Sequence, residues 1–135
     1  MPSREYLEGR KIVEHAKLGI PKYFPETGVL AVCDAYGMVL FLFRVAGEGV
    51  RACAFGVGIA GRMYERIYRL CTDAREKNST FWKSLSWFVE RGDRFFLKSV
   101  RIVLEGELLS EWPRRVPKDV LKRIIAEIDA ALALC

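Results

Sequence analysis

Residues 29–55 constrain the fold of this chain more than any other stretch, because three short apolar runs alternate there with two glycine-containing turns. The runs are VLAVC, MVLFLFRV and VRACAF, and the turns between them are residues 34–37 and 46–49. β-Branched and aromatic runs separated by four-residue turns are typical of antiparallel hairpins. We therefore expect a three-stranded antiparallel meander.

The register of this meander assigns its side chains to two faces. Simple closure of both turns sets Cys33 opposite Met38 and Val45 opposite Val50, and alternate residues then share a face. One face is wholly apolar and requires a cover of helices. It holds Leu30, Val32, Val39, Phe41, Phe43, Val45, Val50, Ala52 and Ala54.

The second face is also apolar except at one end, where the register sets Arg44 directly opposite Arg51. Like charges that face one another across a β-ladder repel. Either a carboxylate from elsewhere in the fold or an anionic ligand must compensate this pair, and the sequence leaves both alternatives open.

The segments around the meander carry mostly helical patterns. We expect helices over residues 3–17, 59–74 and 81–91, and a closing helix after Pro117. A fourth strand is expected from Asp93 onward. The chain is thus predicted to be a single α+β domain, residues 1–135, in which a four-stranded antiparallel sheet packs with about four helices. The closing helix either covers the sheet or forms a homodimer seam.

Composition and the N-terminal sequence exclude several classes of protein. The chain lacks long polar tracts and apolar stretches of membrane-spanning length, so we expect a folded domain outside the membrane. The start, MPSREYLEGRK, has no signal-peptide core, which predicts a cytoplasmic location. The four cysteines lack metal-ligand spacing and are expected to be buried, with no metal or cofactor. They are Cys33, Cys53, Cys71 and Cys135.

Positive charge is concentrated in the middle of the chain. Residues 62–101 hold ten Lys and Arg against five Asp and Glu, whereas the flanking segments are nearly balanced. Within this segment Arg62, Arg66 and Arg69 recur at i, i+4 and i+7, and so form a row on one helix. The row is either a solvated face, relieved by Glu65 and Asp73, or a phosphate-binding surface.

A tryptophan in the same segment lies off the buried side of its helix. Trp87 is predicted to point away from the apolar stripe formed by Phe81, Trp82, Leu85, Phe88 and Val89. Such a ring either packs under another element or stacks on a flat ligand such as a base. We therefore predict a nucleic-acid-binding surface on Arg44, Arg51, Arg62, Arg66, Arg69, Lys83, Trp87, Arg91 and Arg94.

The glycine motif GVGIAG at residues 56–61 matches the G-x-G-x-x-G pattern of dinucleotide-binding turns. That function requires a parallel βαβ unit, whereas the strand here closes an antiparallel meander. The other interpretations are a turn into the next helix and a set of backbone amides that meet a phosphate. Because no nucleophile, base or metal cluster is recognisable, we do not expect an enzyme.

The order of these elements, together with the basic and aromatic residues between Arg62 and Arg101, resembles the archaeal ThermoDBP family of single-stranded-DNA-binding proteins. In that family, helices packed on an antiparallel sheet form an apolar cleft bordered by basic residues. The resemblance implies non-catalytic binding of single-stranded DNA. The alternative is a dimerisation scaffold similar to the roadblock and longin class, because an Asp-x-x-Gly turn at residues 34–37 precedes an amphipathic helix.

Overall fold

The computed structural model describes residues 1–47, 49–73, 80–111 and 116–134. Within these ranges the fold is α+β, and a five-stranded antiparallel sheet, whose neighbouring strands follow one another along the chain, is covered by helices on both faces. The elements are α1 (Arg4–Lys17), β1 (Lys22–Phe24), β2 (Val29–Cys33), β3 (Val39–Ala46), β4 (Gly49–Gly56), α2 (Val57–Ala60), α3 (Tyr64–Thr72), β5 (Lys83–Ser84), α4 (Leu85–Arg91), α5 (Arg94–Leu109) and α6 (Lys118–Ala133).

The predicted meander is confirmed as β2, β3 and β4, but its first turn lies one residue further along the chain. Val45 pairs with Val50 as predicted, whereas Cys33 lies opposite Leu40 and not opposite Met38. The reason is that Asp34 itself closes the hairpin, because its backbone N–H donates to the Val39 carbonyl at 3.0 Å. A register difference of two residues leaves every side chain on its predicted face.

The Asp34 carboxylate holds this hairpin turn from inside the protein. Its Oδ1 accepts the backbone N–H groups of Met38 at 2.8 Å and Val39 at 3.0 Å. Asp34→Ala leaves both donors without this acceptor, so we expect the free energy of unfolding to fall by about 2 kcal/mol. Asp34→Asn keeps an acceptor oxygen, so its free energy of unfolding should fall by less than half of that amount. Urea unfolding followed by tryptophan fluorescence measures both variants. Equal losses for the two variants would contradict this role of Oδ1.

The two faces of the sheet carry separate apolar cores. All nine residues predicted for the first face pack into one cluster with α4, α5 and α6. The second face packs against α1, α2 and α3. The apolar side of α6, which includes Leu121, Ile124 and Ile128, is buried in the first cluster. Helix α6 therefore covers the sheet with its apolar side, which is the first of the two predicted alternatives.

The strand predicted from Asp93 onward is wrong, because this segment forms the helix α5. Its aromatic and β-branched residues suggested a strand, but Leu97, Val100 and Leu104 recur at helical spacing and are fully buried. Packing against the sheet overrides the local β preference. The sheet instead gains two short edge strands, β1 and β5, of which the sequence analysis predicted neither.

Two predicted helices also have different limits. The helix expected over residues 59–74 is divided into α2 and α3, and its predicted last residue lies outside the described ranges. The helix expected over residues 81–91 begins only at Leu85, because the Ser84 hydroxyl accepts the Trp87 N–H at 3.4 Å and caps it there. Lys83 and the cap residue Ser84 form the two-residue strand β5.

The cysteines within the described ranges are buried thiols, as predicted. Cys33, Cys53 and Cys71 are buried, whereas Cys135 lies outside these ranges. Burial raises the pKa of Cys33 to about 11 and raises the pKa of Cys71 as well, so both thiols stay protonated at neutral pH. No helix in the described part of the chain is long and apolar enough to cross a bilayer.

Candidate nucleic-acid interface

The edge strand β5 brings basic residues from distant parts of the sequence together. Arg51 of β4 lies opposite Ser84, and Ala52 lies opposite Lys83. Because side chains alternate along a strand and Ala52 belongs to the first core, Lys83 lies on the side of α4, whereas Arg51 lies on the side of α3. Positive charge therefore occurs on both sides of this sheet edge.

Trp87 carries two of the predicted cations on its ring. The Lys83 ammonium nitrogen lies 5.5 Å from the ring centroid, and the Arg91 guanidinium carbon lies 5.2 Å from it. The indole is partly buried and packs edge-on against Phe88, with 5.0 Å between the ring centroids. Trp87 thus packs on the core, as one interpretation expected, and also supports two cations at the surface.

Phe81 and Arg66 form a second group of this kind. The Arg66 guanidinium carbon lies 3.8 Å from the Phe81 ring centroid, and the phenyl ring is 40% exposed. The prediction that Phe81 lies on a buried helical stripe is wrong, because β5 precedes α4 and Phe81 lies before both. Arg66 also borders a pocket of about 380 Å³ that is lined by Glu65, Arg66, Arg69 and Leu70.

Arg44 does not belong to this surface, because it is a core residue. Its side chain is 2% exposed, although it lies opposite Arg51 as the register predicted. The guanidinium carbon lies 4.9 Å from the Trp82 ring centroid, and Nη2 donates to the Asp73 carbonyl at 3.3 Å. The predicted repulsion is relieved because Arg44 points into these contacts and Arg51 remains exposed.

Two other predicted site residues hold helices together. Arg69 donates from Nε and Nη2 to one carboxylate oxygen of Glu5, at 3.0 and 2.8 Å, and so joins α3 to α1. This carboxylate raises the pKa of Arg69. Arg94 donates from Nη1 to the Leu132 carbonyl at 2.7 Å, near the end of α6. The row of three arginines is therefore divided, and only Arg62 and Arg66 remain available.

We call the remaining exposed or partly exposed group the β5-edge surface. Arg91 is the one cation in it that pairs with a carboxylate of the described residues, at 3.4 Å from Asp93. The other cations make no ion pair with any residue in the described ranges. The members of the surface are Arg51, Arg66, Phe81, Lys83, Trp87 and Arg91, together with Arg62, which is exposed between α2 and α3 and precedes Arg66 by four residues.

The other candidate sites lack the geometry that their functions require. The glycine motif consists of the last residue of β4, the four-residue helix α2 and Gly61. Every strand pair in the described ranges is antiparallel, so the βαβ unit of a dinucleotide site is not formed there. Across those same ranges, no three His, Cys, Asp or Glu side chains converge at metal-binding distances.

Comparison with known proteins identifies no relative of this chain. No protein-family model matches the chain, and no curated protein and no solved structure is significantly similar to it. Both family resemblances drawn from the sequence therefore stay predictions.

Proposed function

We propose that this protein binds single-stranded nucleic acid, without catalysis, along the β5-edge surface. One observation carries the proposal: two groups of cations stacked on aromatic rings flank the same sheet edge. Arg66 contacts Phe81 in one group, and Lys83 and Arg91 contact Trp87 in the other.

The charge of this surface suits a polyanion. Phosphates bind most strongly to cations that no carboxylate has already neutralised, because binding then releases counterions. Arg51, Arg62, Arg66 and Lys83 meet this condition among the described residues. A nucleic-acid backbone that crosses β5 would contact cations on both sides of this sheet edge.

The aromatic residues favour single strands over a duplex. Bases that are not paired in a duplex expose their faces, and these faces stack on phenyl, indole or guanidinium planes. Phe81 and Arg66 offer such planes next to the cations. The choice of DNA over RNA rests on the resemblance to the ThermoDBP family.

Fluorescence anisotropy with labelled single-stranded and duplex oligonucleotides tests the proposal. Four cations that contact phosphates predict that log Kobs falls against log[salt] with a slope of about −3 between roughly 50 and 200 mM NaCl. Single strands should bind more tightly than the duplex of the same sequence. A protein that dimerises but binds no oligonucleotide refutes the proposal and favours the scaffold alternative.

A pair of charge reversals localises the binding. Arg66→Glu with Lys83→Glu removes a cation from each aromatic group, so we expect binding at least about 30-fold weaker. The control, Lys17→Glu with Lys22→Glu, changes net charge equally at the opposite edge. Lys22 also lies over a ring there, with its Nζ 5.7 Å from the Phe24 centroid.

The control variant should lose no more than about threefold. Strands β1 and β5 lie about 19 Å apart across the sheet, and salt at 0.1 M screens exposed charges over about 10 Å. Circular dichroism confirms that both variants fold. Equal weakening in the two variants would mean that net charge alone, and not the β5-edge surface, attracts the oligonucleotide.

A further inference from the structure

Helix α5 exposes an apolar stripe on the side that faces away from the sheet. Phe95, Ile102 and Leu109 are 56%, 64% and 71% exposed, and they follow one another at intervals of seven residues. Seven residues are nearly two helical turns, so the three side chains lie in one line along the helix. Helix α5 does not need this stripe for its packing on the core, because the opposite side of the helix makes that packing.

The stripe continues onto a neighbouring turn. The Tyr36 ring stacks on Phe95, with 5.2 Å between centroids and 25° between planes, and both rings are largely exposed. A hydrogen bond from the Ala35 N–H to the Ser99 hydroxyl, at 2.5 Å, fixes α5 on this turn. Contiguous exposed apolar surface of this kind marks interaction sites.

Gly106 shapes one end of the stripe. It lies between Ile102 and Leu109 on the same side of α5, and a Cβ atom built there would meet nothing within 4 Å. A large side chain of an approaching helix therefore finds a hollow beside Leu109. Small residues between large ones let two helices approach closely.

The charges beside the stripe favour one arrangement of two such helices. Lys98 and Glu105 are exposed on the same flank, because they also lie seven residues apart. One oxygen of the Glu105 carboxylate accepts from Arg101 of the same helix at 2.7 Å, and the exposed carboxylate can still meet a cation of a second copy. In an antiparallel pair centred on Ile102, Lys98 of each copy lies beside Glu105 of the other, and Phe95 of each meets Leu109 of the other. A parallel pair lacks this contact, because there the flank that carries Lys98 and Glu105 faces the opposite flank of the other copy.

We propose that a second copy of this chain docks on the stripe, and that two α5 helices form an antiparallel, two-fold symmetric dimer centred on Ile102. The chain thus supplies both the apolar surface and the opposite charges that this contact needs. The contact is small, so a dissociation constant in the micromolar range is expected. This inference does not depend on nucleic-acid binding, because the stripe and the β5-edge surface share no residue.

Sedimentation velocity from about 1 to 200 µM protein tests the dimer. The wild-type protein should pass from the monomer mass of 15.4 kDa to about twice that mass. Ile102→Asp should raise the dissociation constant at least about 30-fold, because it buries two carboxylates at the dimer axis. Leu18→Asp makes a similar change at a side chain that is 76% exposed directly after α1, and it should leave the dimer intact.

A charge exchange tests the antiparallel orientation. Lys98→Glu and Glu105→Lys should each weaken the dimer, and the double variant should restore it, because each copy then again opposes unlike charges. A wild-type chain that stays monomeric at 200 µM overturns the proposal and leaves a different protein as the occupant. Failure of the double variant to restore the dimer overturns the antiparallel arrangement.

Discussion

Gly9→Ala is expected to lower the free energy of unfolding by about 3 kcal/mol or more, although alanine is the better helix former. At Gly9 the backbones of α1 and α3 approach one another closely. A Cβ atom built on it would lie 1.9 Å from the Tyr64 carbonyl oxygen and 2.4 Å from its carbon. Both are backbone atoms and cannot rotate away, so the two helices must separate and give up their shared packing.

The matched control is Gly106→Ala in α5, where a Cβ atom meets nothing within 4 Å. There the same change should raise the free energy of unfolding by about 0.5 to 1 kcal/mol, through helix propensity and a less flexible unfolded chain. Urea unfolding at low micromolar concentration measures both variants without interference from self-association. A loss below about 1 kcal/mol at Gly9 would contradict the close approach of α1 to α3.

Arg44→Ala is expected to lower the free energy of unfolding by about 3 kcal/mol, whereas Arg51→Ala should change it by less than about 0.5 kcal/mol. The two residues have the same chemistry and face one another in the ladder. Only Arg44 is enclosed, with Trp82 against its guanidinium and the Asp73 carbonyl as an acceptor. Truncation there leaves a cavity between the sheet and α3.

A third variant and a second measurement separate the roles of these two arginines. Arg44→Met retains most of the volume and should lose about 1 kcal/mol, which assigns the larger part of the Arg44→Ala effect to packing. Arg51→Ala should weaken single-strand binding about threefold to fivefold while leaving stability unchanged. A large stability loss for Arg51→Ala and none for Arg44→Ala would show that their burial is reversed.

The sequence shows which residues of the candidate site are basic or aromatic, but it does not show how they are arranged on the surface. The excess of cations in residues 62–101 could be read directly, and so could the stacking capacity of Trp87. The sequence does not show which of these cations are exposed to solvent. Arg44 and Arg51 share one face of the sheet. Helix α3 and Trp82 cover Arg44, whereas Arg51 stays exposed at the sheet edge.

Phe81 and α5 illustrate the same limit. The apolar spacing predicts Phe81 on the buried side of a helix, whereas the chain runs extended through Lys83 and Ser84 before α4 starts. Residues 94–109 are apolar on two sides, and such a pattern resembles that of a strand. A helix with a second apolar side has no clean 3.6-residue period, and only the position of the sheet identifies the side that is buried.

The amino-acid sequence by itself determined the meander and the division of its side chains between two faces, because a period of two is a local property that survives a shift of the first turn by one residue. Tertiary structure alone decided the edge strands, the helical state of residues 94–109 and the separation of buried from exposed arginines. These features depend on contacts between segments that are distant in the chain, and local sequence patterns do not show which segment covers which.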